Sequence, residues 1–397
     1  MTGEKIVRIA AKGDGVTASG CHVAYAAPGD RVEADRVIER GPHHVDPPCR
    51  HFDRCGNCQL QHVDEAALRT FVRDRVAHAA QGQGIAIGEL LPAHLSPPHS
   101  RRRTTLHCRS GGKGTATLGF AEAKSHRVFD LLQCEVLHPA LFALVQPLRD
   151  MTRGQRWANG ADIALTLCRQ GVACDWTKVG SLGNRDRLHL TEFAMAQGLA
   201  RLSVDEGYGP DTLWEPEPAQ VMLGDVPVGL PVGAFLQPTL DGERALTGVA
   251  SEWLCDAVNV ADLFAGLGTF AFALRGANIT AYEAARGAHE ACTRAASHSR
   301  ASVKAMHRDL FRNPLRPDEL GRFDAVLLDP PRAGAKMQVE ALAQSGVGRI
   351  VYISCNPSSW ARDVRRLIDA GFDMSAVKPV GQFRWSTHVE LASLLTR

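Results

Sequence analysis

Two short apolar runs near the C-terminus, each ending abruptly in a polar tip, constrain this chain of 397 residues more than anything else in it. The first reads Phe323-Asp324-Ala325-Val326-Leu327-Leu328-Asp329-Pro330-Pro331-Arg332, the second Arg349-Ile350-Val351-Tyr352-Ile353-Ser354-Cys355-Asn356-Pro357. Unbroken apolar runs of this length mark strands buried on both faces, and hence a parallel sheet covered by helices. In open α/β sheets, ligands and chemistry gather just beyond the carboxyl ends of such strands. Asp329 and Cys355 fall at that edge. The prolines behind the tips (Asp329-Pro330, Asn356-Pro357) bias the preceding residue away from helical geometry and stiffen both loops. Taken singly, either run reads equally well as a core strand with an ordinary turn, Cys355 being one more small buried residue.

The pattern continues through the C-terminal part of the chain, which reads as βαβ from about residue 220. Val258–Asp262 is a strand, and Leu263-Phe264-Ala265-Gly266-Leu267-Gly268-Thr269-Phe270 is a loop whose glycines allow close backbone approach where a helix is expected to begin. Asn278–Glu283 is a second strand whose terminal carboxylate is placed to take the ribose hydroxyls of an adenosine cofactor. Asp309 follows, placed to hydrogen-bond the adenine amine. Each acid alone is equally a helix N-cap; the glycine loop, Glu283 and Asp309 in this order favour the cofactor. No Walker lysine follows the glycines, which disfavours ATP. Arg332 stands where enzymes that methylate exocyclic amines place an aromatic residue, which disfavours that chemistry.

Upstream, Ile6–Ile9, His22–Tyr25 and Arg31–Ala34 alternate, separated by the turn signals Gly13-Asp14-Gly15 and Pro28-Gly29-Asp30. Short strands so spaced suggest a small OB-type barrel. Cys55 and Cys58 then form a C-x2-C knuckle in which Gly56 lets the backbone turn both sulfurs toward one point. Cys49 offers a third thiolate, and Cys134 is preferred to Cys108 as the fourth. Four thiolates suit either tetrahedral zinc or an iron–sulfur cluster, and spacing alone does not choose. From about 90 to 215, segments such as Thr104–Cys108 and Ile163–Leu167 point to a mainly antiparallel sheet with one or two helices, Cys168 and Cys174 being packing residues. Arg101-Arg102-Arg103 reads as a solvated basic face or a phosphate contact.

Length suggests two or three domains. The 45% hydrophobic and 22% charged composition is globular, and no apolar run is long enough to span a bilayer. Met1-Thr2-Gly3-Glu4-Lys5 lacks the apolar core of a signal peptide, so a cytoplasmic protein is expected. Eleven cysteines in such a compartment point to a metal site plus core thiols rather than disulfides. A net charge of +2 permits an anionic partner without demanding one.

Together, Cys49, Cys55, Cys58 and Cys134, Phe235-Leu236-Gln237, Asp262-Leu263-Phe264-Ala265-Gly266, Asp329-Pro330-Pro331-Arg332-Ala333-Gly334, Ser354-Cys355-Asn356-Pro357 and Thr387-His388-Val389-Glu390 resemble the bacterial RNA 5-methyluridine methyltransferase family over nearly the whole chain. Within it, the chain is most similar to the 23S ribosomal RNA branch with a TRAM barrel and a four-iron cluster. The resemblance implies a multidomain fold: a small OB-like (TRAM) β-barrel over residues 1–45, a mainly antiparallel α+β central domain with the cluster and RNA binding over 46–219, and a C-terminal Rossmann-like α/β methyltransferase domain over 220–397. It implies a [4Fe-4S] cluster on Cys49, Cys55, Cys58 and Cys134. S-adenosylmethionine would lie among Gln237, Phe264, Gly266, Glu283, Asp309 and Asp329. Cys355 would be the nucleophile and Glu390 the base. A monomer acting on RNA, ribosomal RNA first and tRNA as the alternative, is expected; a non-catalytic iron–sulfur RNA-binding scaffold is the reading from another class. Its distance in sequence from Cys355 gives the cluster a structural role.

Overall fold

The computed structural model of the chain describes residues 3–111 and 114–397. Met1 and Thr2, part of the polar N-terminus read above, lie outside the described residues. Both apolar runs form strands, Ala325–Leu328 and Arg349–Ser354, paired in parallel within a nine-stranded sheet. The order across that sheet is Val303–His307, Asn278–Glu283, Asn259–Leu263, Ala325–Leu328, Arg349–Ser354, Glu390–Thr396 and Asp373–Gly381. The first five are parallel. The chain first winds outward from Asn259–Leu263, then returns to lay Ala325–Leu328 on its other side, which creates a switch point with a crevice at the carboxyl ends.

Side-chain alternation within these strands explains why the runs read as continuously apolar. Val326, Leu328, Ile350 and Tyr352 enter one core, with Trp360 and Val364 of the helix Pro357–Asp369 and Phe71 and Val76 of the helix Glu65–Gly82. Ala325, Leu327, Val351 and Ile353 enter the opposite core, with Leu246 of Leu240–Trp253 and Ala288 and Cys292 of Arg286–Ser297. Each fully buried Leu, Val or Ile contributes about 1.5–3 kcal/mol relative to exposure, so a polar residue in either phase is costly.

The sheet also draws on residues far upstream. Glu89–Leu90 and His94–Leu95 pair in parallel with Asp373–Gly381, and the helix Glu65–Gly82 packs on Pro357–Asp369. Residues 65–95 thus sit against the C-terminal sheet. The middle of the chain forms a six-stranded sheet that is antiparallel except where Gly171–Thr177 runs parallel to Arg201–Val204, the crossover being the helix Asn184–Ala196. The N-terminal segment is a five-stranded antiparallel sheet, ordered His22–Val23, Gly15–Thr17, Glu4–Ile9, Arg31–Glu33, Arg36–Glu39.

Two local expectations fail for identifiable reasons. Gly15 opens a strand rather than closing a turn: a Cβ there would lie 2.5 Å from the Ala26 carbonyl oxygen, so the glycine serves close approach. No regular helix follows the glycine loop. Phe264, Gly266 and Gly268 take φ of 65°, 57° and 92°, which interrupts helical geometry, and the segment closes only in single turns.

Candidate active site

Arg349–Ser354 and Glu390–Thr396 run antiparallel, and the last pair of their ladder is Ser354 with Leu391. One step further along both strands sets Cys355 opposite Glu390. Both line a cleft of about 980 Å³, as do Gln237, Phe264, Gly266, Glu283, Asp309 and Asp329. All eight residues singled out for catalysis and cofactor binding therefore meet at one place.

The elements beneath explain the positions. Asn356 caps the helix Pro357–Asp369 by accepting from the Ser358 N–H at 3.1 Å, with Pro357 in the first turn. Asn356 Nδ2 and Ser359 Oγ donate to the Arg332 carbonyl, tying the two strand tips together. Glu283 accepts from the Gly266 N–H at 2.8 Å and the Ala285 N–H at 2.6 Å, so the carboxylate at the end of one strand anchors the glycine loop of the next. Asp309 accepts from the backbone N–H groups of Phe311 and Arg312, and Phe311 packs on Phe264 with ring centroids 5.3 Å apart. Gln237 is buried and accepts from Gln382 Nε2 at 2.8 Å.

The cleft floor is strongly acidic. Burial pushes Asp329 up to about 7. Burial, then the charge of Asp329, raises Glu390 to about 8, against a hydrogen bond from Gln382. Asp262, beneath the glycine loop, is fully buried with both carboxylate oxygens unpartnered, and burial, Asp329 and Glu283 lift it to about 8. Asp329 and Glu390 line the cleft and Asp262 lies buried outside its lining, and carboxyls so raised favour a nearby cation. Cys355 precedes a helix N-terminus, which favours a thiolate. Burial outweighs this, and with Glu390 and Asp329 pushes the thiol up to about 11, while Arg332 acts in the opposite sense.

Arg101, Arg102 and Arg103 are not a solvated face. Arg102 is buried, donates to the Gln237 carbonyl at 2.9 Å and pairs with buried Glu243. Arg103 donates to the Leu236 carbonyl and lies 5.0 Å over the Phe235 ring; Arg101 lines the cleft, 5.5 Å over Phe383. Together Arg102 and Arg103 hold the segment that presents Gln237. A carbonyl row needing donors in the interior explains them, and nothing local in the sequence signals it.

Burial pushes the Cys55 thiol up to about 11, with the charges of Cys134 and Cys49 adding, and the Cys58 thiol up to about 12, with those of Cys55, Cys134 and Cys49 adding. Arg101 feels the charges of Cys134, Cys58 and Cys55. Among the described residues, no group of three or more His, Cys, Asp or Glu side chains is gathered as a site for a metal ion. The knuckle itself reaches the cleft, which Gly56, Asn57 and Gln59 line. Distance along the chain from Cys355 therefore does not separate it from the cleft that Cys355 lines. Phe383 and His388, absent from the sequence-based set, also line the cleft, as does Arg332.

A family model described as tRNA (Uracil-5-)-methyltransferase matches residues 276–397. An uncharacterized RNA methyltransferase of Zymomonas mobilis is 46% identical over 99% of this chain and 100% of its own length. The 23S rRNA (uracil(1939)-C(5))-methyltransferase RlmD of Chromohalobacter salexigens is 30% identical over 100% of this chain and 89% of its own. The crystal structure of the Pyrococcus abyssi tRNA (uracil-54, C5)-methyltransferase in complex with S-adenosyl-L-homocysteine superposes with a TM-score of 0.76 over the whole of both chains at 22% identity, a likeness of fold. By these likenesses the chain is an RNA methyltransferase. It belongs to the RNA uracil-C5 methyltransferase family.

Proposed function

We propose that this enzyme methylates C5 of a uridine in 23S ribosomal RNA, with S-adenosylmethionine as donor, through a covalent adduct between Cys355 and C6. The observation that carries the reading is Cys355 opposite Glu390 in a cleft also lined by Gln237, Phe264, Gly266, Glu283, Asp309 and Asp329. A non-catalytic scaffold has no use for that pair. The acidic floor, with Asp262 unpartnered, suits the sulfonium and ammonium charges of the cofactor, and the open space at Gly266, where a Cβ would meet nothing within 4 Å, leaves room for it. The ribosomal assignment draws on the relative named for 23S rRNA; the family description and the Pyrococcus enzyme keep tRNA as the alternative.

When bound, the cofactor supplies an electrophilic methyl group, toward which uracil C5 is a poor nucleophile. The Cys355 thiol gives up its proton to solvent as the RNA binds, and attack of the resulting thiolate on C6 forms an S–C bond and moves the C5–C6 electron pair into an enolate. C5 of the enolate would take the methyl as its bond to the sulfonium sulfur breaks, leaving S-adenosylhomocysteine. Glu390 then removes the C5 proton, the pair re-forms C5=C6, and the S–C bond breaks to return the thiolate. The base must leave its stack to reach Cys355.

The same reading assigns Cys49, Cys55, Cys58 and Cys134 to a [4Fe-4S] cluster. Cys55 and Cys58 lie within electrostatic reach of Cys49 and Cys134, and Arg101 within reach of Cys55, Cys58 and Cys134, which suits an anionic thiolate-bound group. It takes residues 1–45 as a TRAM-like barrel, 46–219 as the cluster and RNA-binding part and 220–397 as the methyltransferase part of a cytoplasmic monomer. No helix among the described residues is long and apolar enough to cross a membrane. The test is mass-spectrometric mapping of 5-methyluridine in RNA from a deletion strain. One missing 23S position, restored by the wild-type gene but not by Cys355→Ala, is expected; a tRNA position would move the substrate, and an unchanged profile would overturn the function.

A further inference from the structure

The cysteine knuckle is joined to the loop that delivers Glu390, and the joint is Gln59. The backbone N–H groups of Gln59 and Leu60 both donate to the Trp385 carbonyl, at 2.8 and 2.9 Å. The Gln59 side-chain Oε1 accepts from the Thr387 N–H at 3.3 Å, across 328 residues of chain. Its Nε2 donates to the Gly56 carbonyl at 2.6 Å, folding the amide back over the turn between Cys55 and Cys58. A single side chain thus bridges the two loops, using its donor on one and its acceptor on the other.

The segment so held is under conformational constraint. Trp385 takes φ of 61°, a geometry that a bulky residue keeps only where its surroundings over-determine it. Its side chain is buried in the core shared by Cys58, Leu60, Val389 and Leu391. At the other end of the loop, Gln382 donates to Gln237 Oε1 at 2.8 Å. The segment 382–389 is therefore anchored at Gln237 and at Gln59, and the chain runs from Thr387 directly into Glu390.

We propose that Gln59 is a positioning residue for proton abstraction: it holds the 382–389 loop, and with it Glu390, against the cleft, making the cysteine knuckle part of the catalytic wall. This rests on Glu390 being the C5 base. A residue that merely packed two loops together would, when changed, slow every step alike. One that aims the base slows adduct resolution selectively, because thiolate attack and methyl transfer do not use Glu390 as base.

The test uses the purified holoenzyme with ribosomal RNA from the deletion strain, carrying tritium at uridine C5, in single-turnover rapid quench. Gln59→Met removes both polar ends at similar length; Gln59→Glu keeps the acceptor for Thr387. Adduct formation in Gln59→Met should stay within about twofold of wild type, while adduct decay and tritium release slow by about tenfold to a hundredfold, the range a small misplacement of a catalytic group costs. Gln59→Glu should recover most of that loss. S-adenosylhomocysteine affinity should be unchanged, and the Thr387 amide should exchange faster in Gln59→Met. Unchanged decay, unchanged Thr387 exchange, or equal slowing of formation, decay and cofactor binding would each overturn the proposal. Wild-type protein that forms no adduct would overturn the functional reading and this inference with it.

Discussion

Cys355 and Glu390 face each other one step beyond the ladder pair of Ser354 and Leu391; the Glu390 charge raises the proton affinity of Cys355, and Asp329 raises that of both. Resolution of the proposed adduct needs a base for the C5 proton, and an amide at position 390 supplies none. Glu390→Gln should therefore permit adduct formation and methyl transfer but not resolution, with turnover down by roughly 10²–10⁴. Denaturing gels should show a slow band containing protein, RNA and methyl label. Cys355→Ala should give neither band nor product while still binding S-adenosylhomocysteine.

The pH dependence follows from the same pair, with opposite signs for rate and stability. The base form of Glu390, pushed up to about 8, grows as pH rises, so single-turnover resolution should increase from pH 6.5 and level off above about 8. For stability, a carboxyl raised in the fold favours the protonated native state. Its contribution is fully present below the unfolded value of 4.5 and is lost as pH rises through about 8. Glu390→Gln should accordingly gain melting temperature over wild type at pH 8, an advantage that shrinks toward pH 5; a gap constant with pH would contradict the assignment.

The two glycines of the cofactor loop should fail differently. A Cβ at Gly268 would meet the Phe272 ring at 2.7 Å and Cys292 Sγ at 3.0 Å, on a backbone with φ of 92°. Gly268→Ala should lose about 2 kcal/mol or more of stability, strain and overpacking adding. At Gly266 the space is open and only the φ of 57° is strained, so Gly266→Ala should cost about 1 kcal/mol. It should nonetheless weaken S-adenosylhomocysteine binding, because the new methyl enters the cleft. Denaturant melts and calorimetry separate the two.

Arg102 gives a third contrast. Arg102→Met leaves Glu243 buried without its partner and should destabilise by roughly 3–5 kcal/mol. Arg102→Met combined with Glu243→Leu should recover most of the loss. If Arg102 contacted RNA phosphate instead, removing it would flatten the salt dependence of RNA binding; that slope should be unchanged in the double variant.

Anaerobically purified protein should contain iron and inorganic sulfide in equal amounts, as a four-thiolate cubane requires, and lose both in Cys58→Ser. Stoichiometric zinc without sulfide would return Cys49, Cys55, Cys58 and Cys134 to a mononuclear site.

What could be read from local pattern was the strand content of the C-terminal sheet and the tips that carry chemistry. Val326 and Leu328 on one face and Ala325 and Leu327 on the other make an unbroken apolar run, and such a run declares a doubly covered strand without reference to any neighbour. Glu283, Asp329 and Cys355 were legible for the same reason, since each ends such a strand. The neighbours were not legible in local pattern, and Glu390 was paired with Cys355 only through the family resemblance. Glu390 meets Cys355 because a C-terminal hairpin inserts Glu390–Thr396 antiparallel beside Arg349–Ser354, and register across a sheet is set by packing between distant segments. Arg102 lies buried because carbonyls of residues 236 and 237, far along the chain, need donors there. Gln59 reaches Thr387 only once the upstream helix Glu65–Gly82 and the strands Glu89–Leu90 and His94–Leu95 have docked on the C-terminal sheet. Periodicity is a property of a few consecutive residues; which surfaces then face each other depends on the closure of long loops, and the chain carries that information only as a whole.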